Sequence, residues 1–280
     1  MRPAMTELKQ FSEDFNYKIT HLIKGKFMKF EGKTILITGA STGIGKALAQ
    51  KLLGTKCNLI LIARRNELIE EYVKQNEHKL CELLILKCDV SSKEEVSATH
   101  KDIELKFGDV DIAILNSGIG RTVTVKTFNS KDAEDTFGAN VLGIIYWVEQ
   151  LLPGLLKKKN GIIAGVSSLA DNRGYSGSGF YCASKAAAST FLEGLRIELK
   201  PYNIKVITVR PGFVRTPMTD QNKFKMPLLM EPEQAAEIIL DGIKKEKRAI
   251  QFPWQMYLAT WLIGALPGRV YEWLAGKTKI

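Results

Sequence analysis

Short apolar runs, rich in β-branched residues, alternate from residue 33 onward with longer segments whose apolar positions recur at helical spacing. The runs predict strands at residues 34–38, 58–63, 83–87, 111–115, 161–167, 205–209 and 249–252. Because runs such as ILIT, LILIA and IAIL are apolar at consecutive positions, such strands are expected to be buried on both faces, as in a parallel sheet covered by helices. The pattern therefore predicts the α/β class, with a doubly wound parallel sheet of about seven strands and helices on both faces.

Residues suited to a helix N-terminus stand before several of the intervening segments. They are Ser91 or Ser92 before 93–107, Ser130 before 131–158, and Pro232 before 233–245. A further helix is predicted over 180–200. No repeat or interdomain linker interrupts the alternation, so residues 31–253 are expected to form one domain. An N-terminal extension with helical spacing but no assigned chemistry (1–30) precedes it, and an apolar helical tail (254–280) follows.

Composition indicates a folded chain and limits its partners. Hydrophobic residues make up 45% and charged residues 25% of the 280 residues, which excludes disordered and fibrous classes. The net charge of +10 is concentrated at the ends, since residues 1–33 carry 7 Lys or Arg against 4 acids and residues 244–280 carry 7 against 2. Nucleic-acid-binding proteins more often carry basic residues with interleaved aromatics throughout the domain. No nucleic-acid partner is therefore expected.

Neither a metal site nor a disulfide framework is indicated. The 4 cysteines lie far apart without a Cys-x-x-Cys pair, and none of the 3 histidines falls at the carboxyl end of a predicted strand. Reduced thiols favour a cytoplasmic location, and no metal is expected. The sequence also lacks a secretory signal and a run of the ~18–20 apolar residues that span a bilayer.

The first predicted strand leads into a glycine-rich loop, Gly39-Ala40-Ser41-Thr42-Gly43-Ile44-Gly45, and a helical segment follows. Glycines permit a tight turn and let backbone N–H groups approach a pyrophosphate, while the helix N-terminus supplies donors and a favourable dipole. A triphosphate-binding P-loop is excluded because Ala40 occupies the place of its first glycine and Ala47 that of its Ser or Thr. The loop predicts a dinucleotide site on a Rossmann-type fold; an ordinary glycine-rich turn is the alternative.

Arg64 and Arg65 follow the second predicted strand, where a dinucleotide fold meets the adenosine ribose. Guanidinium groups favour a ribose 2′-phosphate, whereas an acid at this place would repel it. NADP(H) is therefore the preferred cofactor and NAD(H) the alternative, while two exposed arginines at a helix start are the simpler interpretation. Asp89, after the third strand, is equally suited to accept from the adenine amine or to cap a turn.

Tyr181 and Lys185 lie four residues apart in a predicted helix, so their side chains share one face. A free phenol has a pKa of about 10, and an adjacent ammonium would lower it toward the range that acid–base catalysis needs. Ser168 follows the fifth strand at the carboxyl edge of the sheet, where ligands bind in this architecture, and is placed to donate to a substrate carbonyl oxygen. Each residue alone also fits an ordinary structural role.

The glycine loop, Asn116-Ser117-Gly118, Asn140, Ser168 and the segment from Tyr181 to Lys185 together resemble the short-chain dehydrogenase/reductase family over about residues 32–252. The resemblance implies NAD(P)(H)-dependent reduction of a carbonyl or oxidation of an alcohol. It implies that Tyr181 is the general acid/base and that Lys185 lowers its pKa and holds the nicotinamide ribose. By the same resemblance, Ser168 orients the substrate oxygen, and Asn140 supports a water-linked proton relay through Lys185.

The resemblance also suggests which residues line the cofactor. It further implies that the protein is a homodimer or a homotetramer. With the loop and arginine arguments, the predicted cofactor-binding residues are Gly39, Ser41, Thr42, Gly43, Ile44, Gly45, Arg64, Arg65, Asp89, Asn116, Gly118, Tyr181, Lys185, Pro211, Gly212 and Thr216. The family's usual Asn-Ala-Gly is Asn-Ser-Gly here, with Ser117 in the middle. Thr42 stands where many NADP-preferring members carry a basic residue, so the NADP preference depends mainly on Arg64 and Arg65.

Substrate choice is expected to come from three loops over the carboxyl edge of the sheet, at 117–129, 169–180 and 213–230. Their candidate substrate contacts are Tyr175, Phe180, Phe213 and Met218. These side chains predict an apolar pocket for a small carbonyl or alcohol substrate, and simple packing is the alternative for each of them. Two other functions remain open. One is a non-catalytic NADP-binding sensor or scaffold, which would not need all of Asn140, Ser168, Tyr181 and Lys185. The other is an NAD-dependent alcohol dehydrogenase.

Residues 253–266 are apolar on nearly all sides and precede a basic, tryptophan-bearing end. The segment is too short to span a bilayer. Three roles are open: a helix at an oligomer interface, a cover over the substrate pocket, or an interfacial membrane anchor that uses Trp, Lys and Arg. The last would add peripheral membrane association to the cytoplasmic location.

Overall fold

One parallel sheet organises the computed structural model, which describes residues 27–222 and 224–276. Its strands are β1 Thr34–Thr38, β2 Asn58–Ala63, β3 Glu82–Lys87, β4 Ile112–Leu115, β5 Gly161–Val166, β6 Ile204–Pro211 and β7 Ala249–Phe252. They lie in the order β3-β2-β1-β4-β5-β6-β7, and every neighbouring pair is parallel. The predicted doubly wound sheet is confirmed. The predicted extension over residues 1–30 lies mostly outside the described residues.

Helices cover both faces of the sheet. They are α1 Gly43–Leu53, α2 Glu67–Lys74, α3 Lys93–Phe107, α4 Ser130–Phe137, α5 Gly143–Lys158, α6 Gly179–Leu199, α7 Pro232–Lys244, α8 Trp254–Ala265 and α9 Gly268–Gly276. Ser92 caps α3 by accepting a hydrogen bond from the Glu95 N–H at 3.2 Å. The cap of α4 is Asn129 rather than the expected Ser130, because the Asn129 side chain accepts from the Lys131 N–H at 2.9 Å.

Two apolar layers hold the helices to the sheet. On one face, α1 and α7 bury Leu48 and Ile239 against the strands. On the other, α3, α5 and α6 form a layer around Trp147, Leu151 and Leu192. All five residues of β1 are buried, as the continuous apolar run requires of a central strand covered on both faces.

One long helical segment connects α4 and α5. Among the described residues, the stretch Ser130–Lys158 is the one helix long and apolar enough to cross a membrane by length and composition. Its Trp147 and Leu151 pack in the core beside the sheet, as in a helix that covers a sheet. A π-helical turn, Gly138–Leu142, interrupts this segment between α4 and α5 and positions Asn140 inside the protein.

The strand order reverses between β1 and β4, which pair side by side although β2 and β3 separate them in the chain. The connections after these two strands leave in opposite directions and open a crevice at their carboxyl ends, the usual ligand site of such sheets. The loops after β1, β4 and β5 all begin at this edge. The fold therefore brings the glycine loop, the Asn116-Ser117-Gly118 turn and Ser168 to one end of the sheet.

Candidate active site

The glycine loop between β1 and α1 is too tightly packed for side chains at its glycines. Gly39 and Gly43 have φ of +70° and +56°, in the left-handed region. A Cβ on Gly43 would lie 2.6 Å from Thr216 Cγ2, and one on Gly45 would lie 2.1 Å from the Gly39 carbonyl oxygen. The loop thus has the close-packed backbone and helix N-terminus that a dinucleotide pyrophosphate requires, and the residues present fit NAD(P)(H).

Asn116 locks this loop to the end of β4. Its Nδ2 donates to the backbone oxygens of Thr38 at 3.1 Å and Gly39 at 3.3 Å. The Thr38 hydroxyl oxygen in turn accepts from the backbone N–H groups of Asn116 at 3.0 Å and Ser117 at 3.1 Å. Because the Asn116 Nδ2 group donates to backbone oxygens of the loop, this side chain fixes the conformation of the loop backbone. Ile44 is partly buried and packs against the apolar layer formed by α1 and α7.

Arg64 and Arg65 are both exposed after β2. Arg64 Nη1 lies 3.7 Å from Asp89 Oδ2. Asp89 also caps its own turn, since its Oδ1 accepts from the Ser91 N–H at 2.9 Å and hydroxyl at 2.7 Å. Burial raises the pKa of Asp89, but the Ser91 hydrogen bonds and the Arg64 charge outweigh it, so the pKa lies below its usual value. Asp89 therefore caps this turn and lies beside Arg64.

Tyr181, Lys185 and Ser168 converge at the carboxyl edge of the sheet. Tyr181 and Lys185 occupy successive turns of α6, and the Lys185 Nζ lies 5.7 Å from the centroid of the Tyr181 ring. Lys185 is buried and donates from Nζ to the Val166 carbonyl oxygen at 2.9 Å. Ser168 lies two residues after the end of β5, and its Oγ accepts a hydrogen bond from the Ala170 N–H at 3.1 Å. The three side chains predicted from spacing do come together.

Asn140 is completely buried in the π turn, and its carboxamide bonds entirely to protein groups. Oδ1 accepts from the Ile119 N–H at 2.8 Å, and Nδ2 donates to the Ile119 carbonyl oxygen and the Ser184 Oγ, both at 2.9 Å. A Cβ on Gly118 would lie 3.0 Å from Asn140 Oδ1 and 3.2 Å from Lys185 Nζ. Asn140 thus fixes the loop after β4 directly beside the Lys185 ammonium.

Burial dominates the electrostatics of the Tyr181 and Lys185 pair. It raises the pKa of the Tyr181 phenol above its usual value, and a hydrogen bond with Ser168 is the contribution that lowers it. Burial also lowers the pKa of Lys185 to about 8, against a smaller opposing effect of Asp171. The direction for Tyr181 differs from the expectation that Lys185 would depress it, because the ammonium is itself desolvated and directed to the Val166 carbonyl.

The sequence did not predict a partly buried polar network that lies behind the site. Asp171 Oδ2 accepts from the Ser189 hydroxyl and from Arg210 Nε, both at 2.5 Å. Ser189 also lies 2.7 Å from Ser167 Oγ, which donates to the Lys185 carbonyl oxygen at 2.9 Å. The network joins the turn after Ser168 to α6 and β6. Arg210, a charged residue near the end of the largely apolar strand β6, was its sequence signal.

The three predicted substrate loops contact one another over the edge of the sheet. The Val123 N–H donates to the Gly177 carbonyl oxygen at 2.9 Å, which links the first loop to the second. A Cβ on Gly120 would lie 3.2 Å from the Tyr181 ring and 3.3 Å from Met218 Sδ. Met218 and the Tyr181 ring therefore both lie against Gly120.

The other candidate substrate contacts lie in aromatic clusters. Phe180 packs on Phe128 with ring centroids 5.3 Å apart, and Phe213 packs edge-on against Phe224 at 5.9 Å. Tyr175 is half-buried, and burial, together with the nearby Tyr271 and Cys182, raises its pKa to about 12. It lies on the side of the site that faces the C-terminal helices.

Pro211 and Gly212 continue β6 toward the same edge. The Gly212 N–H donates to the Phe252 carbonyl oxygen at 2.7 Å, so this segment is fixed to the end of β7. A Cβ on Gly212 would lie 2.6 Å from Met256 Sδ, so α8 packs directly on it. Thr216 follows and closes over Gly43 of the glycine loop. Within the described ranges, no group of three or more His, Cys, Asp or Glu residues is arranged to hold a metal.

Comparison with known proteins gives four findings. A family model described as short chain dehydrogenase matches residues 33–226. An NADP-dependent 3-hydroxy acid dehydrogenase from Schizosaccharomyces pombe is 34% identical over 235 residues, covering 79% of this chain and 91% of that protein. A fatty acyl-CoA reductase from Acinetobacter baylyi is 32% identical over 223 residues, covering 79% of this chain and 76% of that protein. An alcohol dehydrogenase structure from Thermococcus sibiricus, complexed with 5-hydroxy-NADP, matches with a TM-score of 0.70 at 26% identity, covering 79% of this chain and 94% of that chain.

Proposed function

Because the chain belongs to the short-chain dehydrogenase family and is an oxidoreductase that acts on CH–OH groups, we propose that it is a carbonyl reductase that reduces an apolar ketone or aldehyde with NADPH. The observation that carries this proposal is the convergence of Ser168, Tyr181 and Lys185 beside the glycine loop. The catalytic domain then corresponds to residues 31–253. A sensor or scaffold would need the cofactor cradle but would have no use for a buried lysine and a phenol beside it.

In the proposed reaction, NADPH bound at this site would provide the hydride for the carbonyl carbon. The Tyr181 phenol donates its proton to the carbonyl oxygen, so that one hydride and one proton together convert the carbonyl to an alcohol. The Ser168 hydroxyl, already a hydrogen-bond partner of Tyr181, orients the same oxygen. Because burial keeps the Tyr181 pKa high, the phenol is protonated at neutral pH and is ready to act as the acid.

Lys185 and Asn140 support this proton transfer. The Lys185 ammonium is buried near the phenol and would stabilise the phenolate that forms when the proton leaves. It would also bind the nicotinamide ribose hydroxyls. Asn140 holds the loop after β4 against Lys185, and by the family resemblance it would support a relay that returns a proton from water. In the reverse direction the same groups would take the proton from an alcohol.

The proposed cofactor site follows the carboxyl edge from the glycine loop to β6. Gly39, Ser41, Thr42, Gly43, Ile44 and Gly45 would hold the pyrophosphate, and Pro211, Gly212 and Thr216 would flank the nicotinamide. A 2′-phosphate would meet Arg64, assisted by Arg65, both of which are exposed and cationic. The S. pombe relative is NADP-dependent by name, which supports NADPH over NADH.

Apolar and aromatic side chains around the entrance favour an apolar substrate. Met218 lies against the same glycine as Tyr181, and the Phe180 and Phe213 clusters border the loops on either side. The A. baylyi relative is a fatty acyl-CoA reductase, whose named substrate carries an apolar chain. We further propose a cytoplasmic homo-oligomer, a dimer or tetramer, since the thiols are free and the family resemblance implies assembly.

The test measures NADPH oxidation with a panel of apolar ketones, aldehydes and acyl thioesters, with NADH as the second cofactor. Tyr181→Phe is expected to reduce turnover by about 10²–10⁴-fold while NADPH binding is retained. Tyr202→Phe, at an exposed position after α6, is the matched control and should behave as the unaltered protein. Tight NADPH binding without turnover on any carbonyl would favour the sensor function instead. Equal activity of Tyr181→Phe and the control would contradict the proposed mechanism.

A further inference from the structure

The two C-terminal helices expose a broad apolar surface to solvent, and at its edge Tyr257 and Trp261 also line a cavity shared with α6 and β6. Within the described part of the chain, no residue of α8 or α9 is buried. The large apolar side chains exposed on these helices are Trp254, Tyr257, Leu258, Trp261, Leu262, Val270, Trp273 and Leu274. Trp261 and Trp273 are 57% and 61% exposed. Exposed apolar residues in such number on two consecutive helices mark an interaction surface.

The opposite side of the helix pair is fixed to the loop that follows Ser168. Asn172 Nδ2 donates to the Thr260 carbonyl oxygen at 2.5 Å, and Arg173 Nη2 donates to the carbonyl oxygens of Gly264, at 2.8 Å, and Leu266. Arg173 thereby satisfies carbonyls at the C-terminus of α8 that have no partner within the helix. Its guanidinium also lies 5.1 Å from the centroid of the Tyr271 ring in α9.

These attachments define which face points outward. The Tyr271 hydroxyl donates to the Gly174 carbonyl oxygen at 2.5 Å, so α9 is bound to the same loop as α8. At its other end, α8 packs through Met256 on Gly212, in the segment proposed to flank the nicotinamide. The apolar surface is therefore held beside the active-site entrance and is not free to fold back into the core.

The net positive charge of residues 254–280 indicates which kind of partner this surface fits. From Trp254 to the end of the sequence Glu272 is the one acid, against Arg269, Lys277 and Lys279. Tryptophan and leucine beside basic residues match the interfacial region of a bilayer with anionic headgroups. Protein interfaces, in contrast, are depleted in lysine. The 12 residues of α8 are fewer than the ~20 needed to span a bilayer, so the helix would lie in the surface.

We infer that α8 and α9 form a docking surface for an anionic lipid bilayer, which holds the entrance of the active site at the membrane. Phe224 and Leu228, exposed in the loop after β6, extend apolar character at the same edge of the sheet. The substrate would then be a carbonyl compound dissolved in the bilayer. This assignment of the substrate rests on the proposed function, whereas the binding of α8 and α9 to the bilayer does not.

The experiment uses the full chain and flotation with vesicles of phosphatidylcholine alone or mixed with phosphatidylserine. The protein is expected to float with the mixed vesicles, less so at high salt and only weakly with phosphatidylcholine alone. Trp261→Glu should weaken partitioning by roughly tenfold or more, because it places a charge in the apolar surface. Leu105→Glu, at an 87% exposed position of α3, is the matched control and should float like the unaltered protein.

Two further measurements separate the possible failures. Tyr181→Phe should float normally, so a failure of the proposed chemistry would leave the docking result intact. The oligomeric state of the unaltered protein and of Trp261→Glu is measured by light scattering and should be the same. Recovery of all protein in the soluble fraction with anionic vesicles would overturn the inference. So would an oligomer that dissociates in Trp261→Glu, because the surface would then be an interface between copies.

Discussion

Gly45→Ala tests whether the glycine loop has the close packing that the cofactor site requires. The new Cβ would lie 2.1 Å from the Gly39 carbonyl oxygen and 2.6 Å from Asn116 Nδ2. The first of these is a backbone atom, so the loop itself must move. Alanine gains about 0.5–1 kcal/mol over glycine in a helix, and overpacking costs about 1–3 kcal/mol. With the contact this short the cost lies at the upper end, and the expected net loss is about 2 kcal/mol.

Gly194→Ala is the matched control, because Gly194 lies exposed in α6 and a Cβ there meets nothing within 4 Å. It should raise the free energy of unfolding by about 0.5–1 kcal/mol. Both variants are compared by urea denaturation, and NADPH affinity is measured by titration. Gly45→Ala should also bind NADPH at least tenfold more weakly, because the displaced backbone carries the predicted pyrophosphate donors. A Gly45→Ala protein as stable as the control, with unchanged NADPH affinity, would refute the reasoning.

Three further variants test other parts of the site. Burial lowers the pKa of Lys185 to about 8 and Asp171 opposes this, so the rate of carbonyl reduction should fall above about pH 8 as the ammonium is lost. Asp171→Asn should move that fall to lower pH; an unchanged pH profile would count against the assignment. Arg64→Ala should reduce the preference for NADPH over NADH in kcat/KM by about 10–100-fold, the effect of losing a charged hydrogen bond. Equal loss with both cofactors would argue against a 2′-phosphate contact. Asn140→Ala removes the hydrogen-bond partners of the Ile119 N–H and carbonyl groups. It should lower the free energy of unfolding by about 1–3 kcal/mol, measured by thermal unfolding. An unchanged Tm would contradict the role of Asn140 in fixing this loop.

The fold was largely predictable because local patterns determine it. Continuous apolar runs predict strands, and the structure has a strand at each predicted run; the central β1 is buried along its length, whereas the edge strand β3 is only partly buried. The spacing of Tyr181 and Lys185 requires a shared helix face, and the chain places both in α6. Such features depend on neighbouring residues only, so a single sequence is sufficient to find them.

Features that depend on distant residues were not predictable in the same way. Asp171, Ser189 and Arg210 come from a turn, a helix and a strand, and only the folded sheet brings them within hydrogen-bond distance. The pKa direction of Tyr181 depends on burial and on the donation of Lys185 to Val166, neither of which is determined by i,i+4 spacing. The attachment of the C-terminal helices through Arg173 likewise joins residues about 90 positions apart, a separation that local patterns do not encode.

The proposed hydride transfer can be followed atom by atom. NADPH carrying deuterium at both C4 positions is supplied to the unaltered protein with the best carbonyl substrate, and the alcohol product is analysed by mass spectrometry and NMR. One deuterium on the carbinol carbon, with loss of product formation in Tyr181→Phe, is the predicted result. An alcohol that carries no deuterium from NADPH, or equal product formation by Tyr181→Phe, would contradict the account.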